Sequence, residues 1–133
     1  MVTFSWAQAL ERSRAALRAR LTLKGPRAYA DTHDVALGLL RAGEPHRGRD
    51  RSALDLGAGR GELSARLSAL GYDVTAVEKY LPQFEAKVPL IDADLNRTFP
   101  FDDGSFDVVM AVEILEHLEN PRSFLRISNR LAL

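Results

Sequence analysis

The chain has 133 residues, enough for one domain, and equal numbers of basic and acidic side chains, 18 of each, so no global field draws it to nucleic acid or membrane. It has no cysteine, which excludes disulfides and thiolate metal sites and is compatible with a cytoplasmic setting. No run approaches the ~18 apolar residues of a membrane span, and arginines interrupt any apolar core near the start that a signal peptide would need.

Trp6, Leu10, Leu17 and Leu21 recur at helical spacing and predict an amphipathic helix over 4–22. Gly25 and Pro26 stop it. A second helix is expected from about Ala28 to Arg41, and 42–51 reads as a polar loop. The arginines at 47, 49 and 51 fit a solvated loop, so nucleic acid is not the expected partner. Residues 1–51 thus form an N-terminal helical segment and loop, followed by a second region over 52–133.

That second region alternates. Strands are expected at 52–56, 72–78, 88–92 and 106–112. Between them lie a helix over 61–70 ended by Gly71, a short helical turn within 81–87, and a closing helix over 121–133 with proline in its first turn. Alternation of this kind predicts an α/β fold with a parallel sheet and right-handed crossovers, helices lying on both faces. "VVMAV" (108–112) has no polar alternation and is expected to be buried on both faces.

Three glycines, Gly57, Gly59 and Gly61, follow the first strand and precede the first helix of this region. Ligands of open parallel sheets bind there, at the carboxyl ends of strands. Gly57 permits a tight turn, Gly59 a close ligand approach, and Gly61 close packing where the helix begins. The exposed N–H groups of the helix start can receive anionic groups. The spacing is G-x-G-x-G, with Glu62 in the place of the dinucleotide pattern's last glycine, and no phosphate-binding "GK[ST]" follows. Glu78 stands 21 residues after Gly57, at the end of the second strand, where a carboxylate can accept both ribose hydroxyls. The pattern suits a nucleoside without a pyrophosphate.

"LDLGAGRGELSARLSALGYDVTAVE" (54–78) resembles the cofactor segment of class I S-adenosylmethionine-dependent methyltransferases. "FPFDDGSFDVV" and "EILEHL" follow in the same order as in the small-molecule (type 11/12-like) branch, and the match spans 52–133. The resemblance implies a Rossmann-like sheet in the order 3-2-1-4 and methyl transfer from S-adenosyl-L-methionine to a small-molecule acceptor. It assigns Asp55, Gly57, Ala58, Gly59 and Gly61 to the methionine portion, and Glu78 to the ribose with Lys79 beside the adenosine. Asp94 takes the adenine amino group and Leu95 offers its N–H there. Ala111, Val112 and Glu113 pass under the sulfonium. Asp92 is a rival to Asp94, and Arg60 is larger than is usual between these glycines.

Glu113, Glu116 and His117 would share one face if helical, which is metal-ligand spacing. It also resembles a motif of metal-dependent RNA methyltransferases. Small-molecule members carry the same string without metal, so no metal is expected, and His117 is kept as a catalytic or substrate-side candidate. The family's sheet is larger than the four strands this chain supplies. The expectation is a fragment, or a chain that another chain completes, with self-association through the uncovered edge of the fourth strand. A non-catalytic binding module and an NAD-type dehydrogenase are the alternatives.

Overall fold

The computed structural model describes residues 32–43, 51–97 and 99–133. The helix expected over 4–22, its stop at 25–26, and the loop arginines 47 and 49 lie outside the described residues. The chain divides into two compact units, Met1–Arg47 and Gly48–Leu133. In the first, helix α1 spans Thr32–Gly43, with Asp34 in its first turn and Arg41 in its last, the charge order that opposes the helix dipole. No helix among the described residues is long and apolar enough to cross a membrane.

The second unit is a four-stranded parallel sheet. Its strands are β1 (Ser52–Leu56), β2 (Asp73–Glu78), β3 (Leu90–Asp92) and β4 (Val108–Met110), in the order β3-β2-β1-β4. This is the expected Rossmann-like order. Helix α2 (Glu62–Ala69) joins β1 to β2, and α3 (Pro121–Leu131) follows β4.

β1 organises both layers, because its successive side chains point to opposite faces. Leu54 and Leu56 join a core with Phe106, Phe124 and Leu131, so α3 packs on that face. Asp55 points the other way and accepts from the Ser64 hydroxyl of α2 at 2.6 Å; both are buried. Helices therefore cover both faces. α2 ends where Gly71 takes φ 95, a conformation that favours glycine, and Gly71 N–H bonds the Ser68 carbonyl at 3.0 Å. α3 starts with Pro121 after Asn120, whose side chain accepts from Ser123 N–H at 3.0 Å.

The later strands are shorter than expected. β3 begins at Leu90 rather than 88, although the Pro89 carbonyl already receives Ala76 N–H at 2.8 Å. β4 covers 108–110 of the expected 106–112. Below it, side chains replace the ladder. The Asp107 carboxylate accepts the Ser52 N–H (2.8 Å) and hydroxyl (3.1 Å), and the Ser52 hydroxyl accepts Asp107 N–H (3.0 Å).

Two expectations about β4 are corrected. "VVMAV" is not buried throughout: Val108 is buried, Val109 and Met110 are half-buried, and Ala111 is exposed. Among the described strands β4 has one neighbour, β1, so its outer side lacks the cover an inner strand receives. Nor is that outer side bare. α3 ends at Leu131 instead of 133, Ala132 turns extended, and Ala132 forms a parallel bridge with Phe106. Phe106 N–H donates to the Leu131 carbonyl (3.1 Å) and its carbonyl accepts from Leu133 N–H (2.9 Å). The last residues thus begin the backbone pairing that the sequence was expected to lack.

The bonds from Ser52, with Arg51 nearby at 3.8 Å, hold the Asp107 carboxyl below the ordinary aspartate range. A lowered folded value means stability that is full above the ordinary value, about 3.9, and is lost as pH falls through the folded one. Asp107→Asn should lower the thermal midpoint at neutral pH. The gap from wild type should narrow below about pH 4, where wild type loses the same contribution. Melting curves from pH 7 to pH 3 check this, and a gap independent of pH would refute it.

Candidate functional site

The four parallel strands bring four loops together at their carboxyl ends. A cleft of about 300 Å³ opens between them. Gly57 comes from the loop after β1. Glu78 ends β2 and Lys79 and Tyr80 follow it, and Asp94, Leu95 and Asn96 follow β3. Ile114, His117 and Leu118 come from the loop after β4. Of the residues expected from sequence, Gly57, Glu78, Lys79, Asp94, Leu95 and His117 line this cleft. Asp92, the rival to Asp94, ends β3 as an exposed residue outside the lining.

The glycine loop is held from below and from the side. Gly57 and Ala58 N–H both donate to the Val77 carbonyl, at 2.9 and 3.0 Å, and Gly61 N–H donates to Ala58 at 2.8 Å. Gly59 N–H donates to Glu78 Oε2 at 2.7 Å. The other oxygen, Oε1, accepts Lys79 and Tyr80 N–H at 2.8 and 2.9 Å. Three of the roughly four acceptor positions of this carboxylate are therefore occupied, and one on Oε2 remains. The N–H groups of Gly57, Ala58, Gly59 and Gly61 are likewise engaged. What the loop offers a ligand is space along a bare backbone.

The three glycines separate by what a side chain would meet. At Gly59 an added Cβ finds nothing within 4 Å, so the space there is open. At Gly61 it would stand 2.7 Å from the Phe84 ring and from Ala86, and at Gly57 2.7 Å from Ile114. Gly61 thus admits the segment after β2, as close packing was expected to require. That segment begins with a 3₁₀ turn at Leu81–Gln83 and is tied to the loop by Glu85 N–H on the Arg60 carbonyl (2.9 Å) and by an Arg60–Glu85 ion pair. The bulk of Arg60 is therefore directed to Glu85.

Other expected residues stand apart from the cleft lining. Asp55 is buried under the loop on Ser64. Ala111 and Glu113 are exposed and Val112 is half-buried. Glu113 has φ 54, which turns the chain and sets the Ile114 side chain over Gly57. The turn also removes the helical geometry supposed for "EILEH". The segment continues as a 3₁₀ helix, Leu115–His117, with Glu116 Oε1 and His117 Nε2 4.0 Å apart. Among the described residues no three His, Asp or Glu side chains are grouped to hold a metal ion.

Asp94 is held by two neighbouring cations and a backbone N–H. Its Oδ2 meets Lys79 Nζ at 2.9 Å and Arg97 Nε at 3.7 Å, and its Oδ1 accepts Asn96 N–H at 3.0 Å. Lys79 first, then the Asn96 N–H, hold its carboxyl below the ordinary range, and Asp94 in turn raises the Lys79 ammonium. Asn96 also accepts Glu119 N–H at 2.8 Å, closing the loop after β3 onto the loop after β4. Tyr80, Asn96, Ile114 and Leu118 were missed from sequence. Tyr80 and Asn96 lie within two residues of expected acids and were within reach of that signal; Ile114 and Leu118 read as ordinary apolar positions.

A family model described as "Methyltransferase domain" matches residues 54–132. A mitochondrial ubiquinone biosynthesis O-methyltransferase of Schizosaccharomyces pombe is 38% identical over 86 residues, covering 56% of this chain and 31% of that protein. An uncharacterized methyltransferase of Mycobacterium avium is 29% identical over 99 residues, covering 69% of this chain and 39% of its own. The chain spans about a third of the length of these relatives. Among solved structures, an S-adenosylmethionine-dependent methyltransferase of Mesorhizobium loti superposes with a TM-score of 0.60 at 19% identity, over 75% of this chain and 49% of that one. The [4+2]-cyclase SpnF superposes with a TM-score of 0.63 at 19% identity, over 82% and 44%. These structural likenesses establish the fold alone.

The contrast among the glycines is testable. Gly59→Ala meets no atoms, so its cost is the left-handed backbone, about 1–2 kcal/mol. Gly61→Ala adds overpacking against Phe84 and Ala86, about 1–3 kcal/mol more. Denaturant midpoints should rank wild type, Gly59→Ala, then Gly61→Ala. Equal midpoints for the two variants would refute the packing role of Gly61.

Proposed function

Because the chain belongs to the methyltransferase-domain family, we propose that its cleft binds S-adenosyl-L-methionine and that the protein transfers the methyl group to a small-molecule acceptor. One observation carries the reading. The carboxylates at the ends of β2 and β3, Glu78 and Asp94, line the same cleft, beside a loop whose Gly59 faces open space.

The residues present fit that ligand. Glu78 retains an acceptor position for a ribose hydroxyl, and ionised Asp94 accepts from an adenine amino group. Leu95 would offer its N–H to the base. Gly59 leaves room for the methionine portion to lie along the backbone, above the turn that Asp55 anchors. Ala111, Val112 and Glu113 lead into that region and position Ile114. The donor set also argues against the dinucleotide alternative: Glu62 replaces its last glycine, and the named loop N–H groups are not free to take a pyrophosphate.

When bound, S-adenosyl-L-methionine supplies a methyl group already activated by the adjacent positive sulfur. The chain's own task is then alignment and exclusion of water. Ile114 and Leu118 form the apolar wall that would do this, with His117 at the same wall as the candidate for contacting the acceptor or its proton. The names of the ubiquinone-biosynthesis relatives favour a hydroxyl oxygen as acceptor atom. A cytoplasmic setting, compatible with the absence of cysteine, goes with this proposal, as does self-association along the outer edge of β4. A second reading is a cofactor-binding module without activity of its own.

Calorimetry with S-adenosylhomocysteine and with NAD tests the ligand, and a methyl-transfer assay separates enzyme from module. S-adenosylhomocysteine should bind and NAD should not. Glu78→Ala should weaken binding about tenfold to a hundredfold, the loss of charge-assisted hydrogen bonds. Circular dichroism confirms the fold of the variant. Unchanged affinity in a folded Glu78→Ala protein would refute the role of Glu78.

A further inference from the structure

The Lys79–Asp94 pair ties two loops of the cleft together. Lys79 follows β2 and Asp94 follows β3, and both line the cleft. The lysine side chain is 55% exposed, and an exposed pair of this kind contributes little to folding stability. Its consequence lies in the orientation of Asp94. Lys79 Nζ holds Oδ2 at 2.9 Å while Asn96 N–H holds Oδ1 at 3.0 Å, so the plane of the carboxylate is set from both ends. Each oxygen keeps acceptor capacity toward a ligand.

We propose that Lys79 is a positioning residue for base recognition: by fixing the Asp94 carboxylate, it makes the cleft select a purine with an exocyclic amine over one with a carbonyl oxygen. The inference rests on the cleft being an S-adenosylmethionine site. An ionised carboxylate only accepts hydrogen bonds, so it matches an amine and opposes a carbonyl oxygen. Once protonated it donates, and the preference reverses. Lys79 delays that protonation, and Arg97 at 3.7 Å acts in the same direction. Glu78, Tyr80 and His117 are the other titratable side chains lining the cleft.

The test compares S-adenosylhomocysteine with S-inosylhomocysteine, which carries oxygen in place of the amine. Affinities are measured by calorimetry for wild type, Lys79→Met and Lys79→Arg at pH 7 and pH 5, with thermal midpoints alongside. Wild type should prefer the adenosyl ligand at both pH values. Lys79→Met should lose about tenfold of that preference, the scale of one misdirected charge-assisted hydrogen bond, and more of it at pH 5 than at pH 7. Its thermal midpoint should stay close to wild type, and Lys79→Arg should restore the selectivity. Selectivity unchanged in Lys79→Met, an equal loss for both ligands, or an arginine variant that behaves as methionine would each overturn the role of Lys79. Wild-type protein that binds neither ligand would overturn the cofactor reading, and this inference with it.

Discussion

A turn bare enough to admit a ligand has little of its own to hold it in place. Here the carboxylate of Glu78 does so. It leaves the end of β2, crosses to the turn after β1, and accepts Gly59 N–H, while its second oxygen gathers the N–H groups of Lys79 and Tyr80. Without it the ends of two adjacent strands would each carry unpaired donors, and a glycine loop has the largest conformational freedom to lose. The same bonds direct the chain away from the sheet after β2. From there the segment at 81–87 folds back over Gly61 and meets Arg60 through Glu85.

That constraint acts at one end of β1, and the strand's alternation acts along its length. Leu54 and Leu56 commit one face to Phe124 and Leu131 of α3, and Asp55 commits the other to Ser64 of α2. A buried carboxylate needs a partner, and the Ser64 hydroxyl at 2.6 Å is one. The position of α2 is thereby coupled to the strand just before the glycine turn. Packing and polar satisfaction fix the same helix, so the loop between strand and helix has few ways to move.

The cleft is chemically uneven, and the unevenness follows the sheet. Its acids stand at the end of β2 and just after β3, where two loops meet through Lys79 and Asp94. Its apolar members, Ile114 and Leu118, come from the segment after β4, which Asn96 ties back through Glu119 N–H. Hydrogen-bonding groups of a nucleoside and the reacting part of a ligand would therefore meet different environments. The first is polar and held by several bonds. The second is apolar and rests on one left-handed residue, Glu113, and a single 3₁₀ turn.

The sequence alone determined the α/β class, the parallel order 3-2-1-4, the glycine loop after the first strand, and the acids Glu78 and Asp94 as candidates for one cleft. The class, the glycine loop and Glu78 depend on local signals, namely hydrophobic period, turn residues and motif spacing, whereas the strand order and Asp94 were what the family resemblance implied; neither source needs knowledge of distant contacts. Strand ends did not follow, because the bonding of Asp107 to Ser52 replaces a ladder that apolar composition alone would extend. The segment after β4 did not follow either. Helical spacing in "EILEH" assumes a helix, whereas φ 54 at Glu113 breaks it and brings Ile114 over Gly57. The pairing of Phe106 with Ala132 and of Lys79 with Asp94 joins residues 26 and 15 positions apart. Only the tertiary structure decided those pairs, because they depend on which strands become neighbours and on where each loop crosses the sheet, and no periodicity along the chain encodes a distance between two loops.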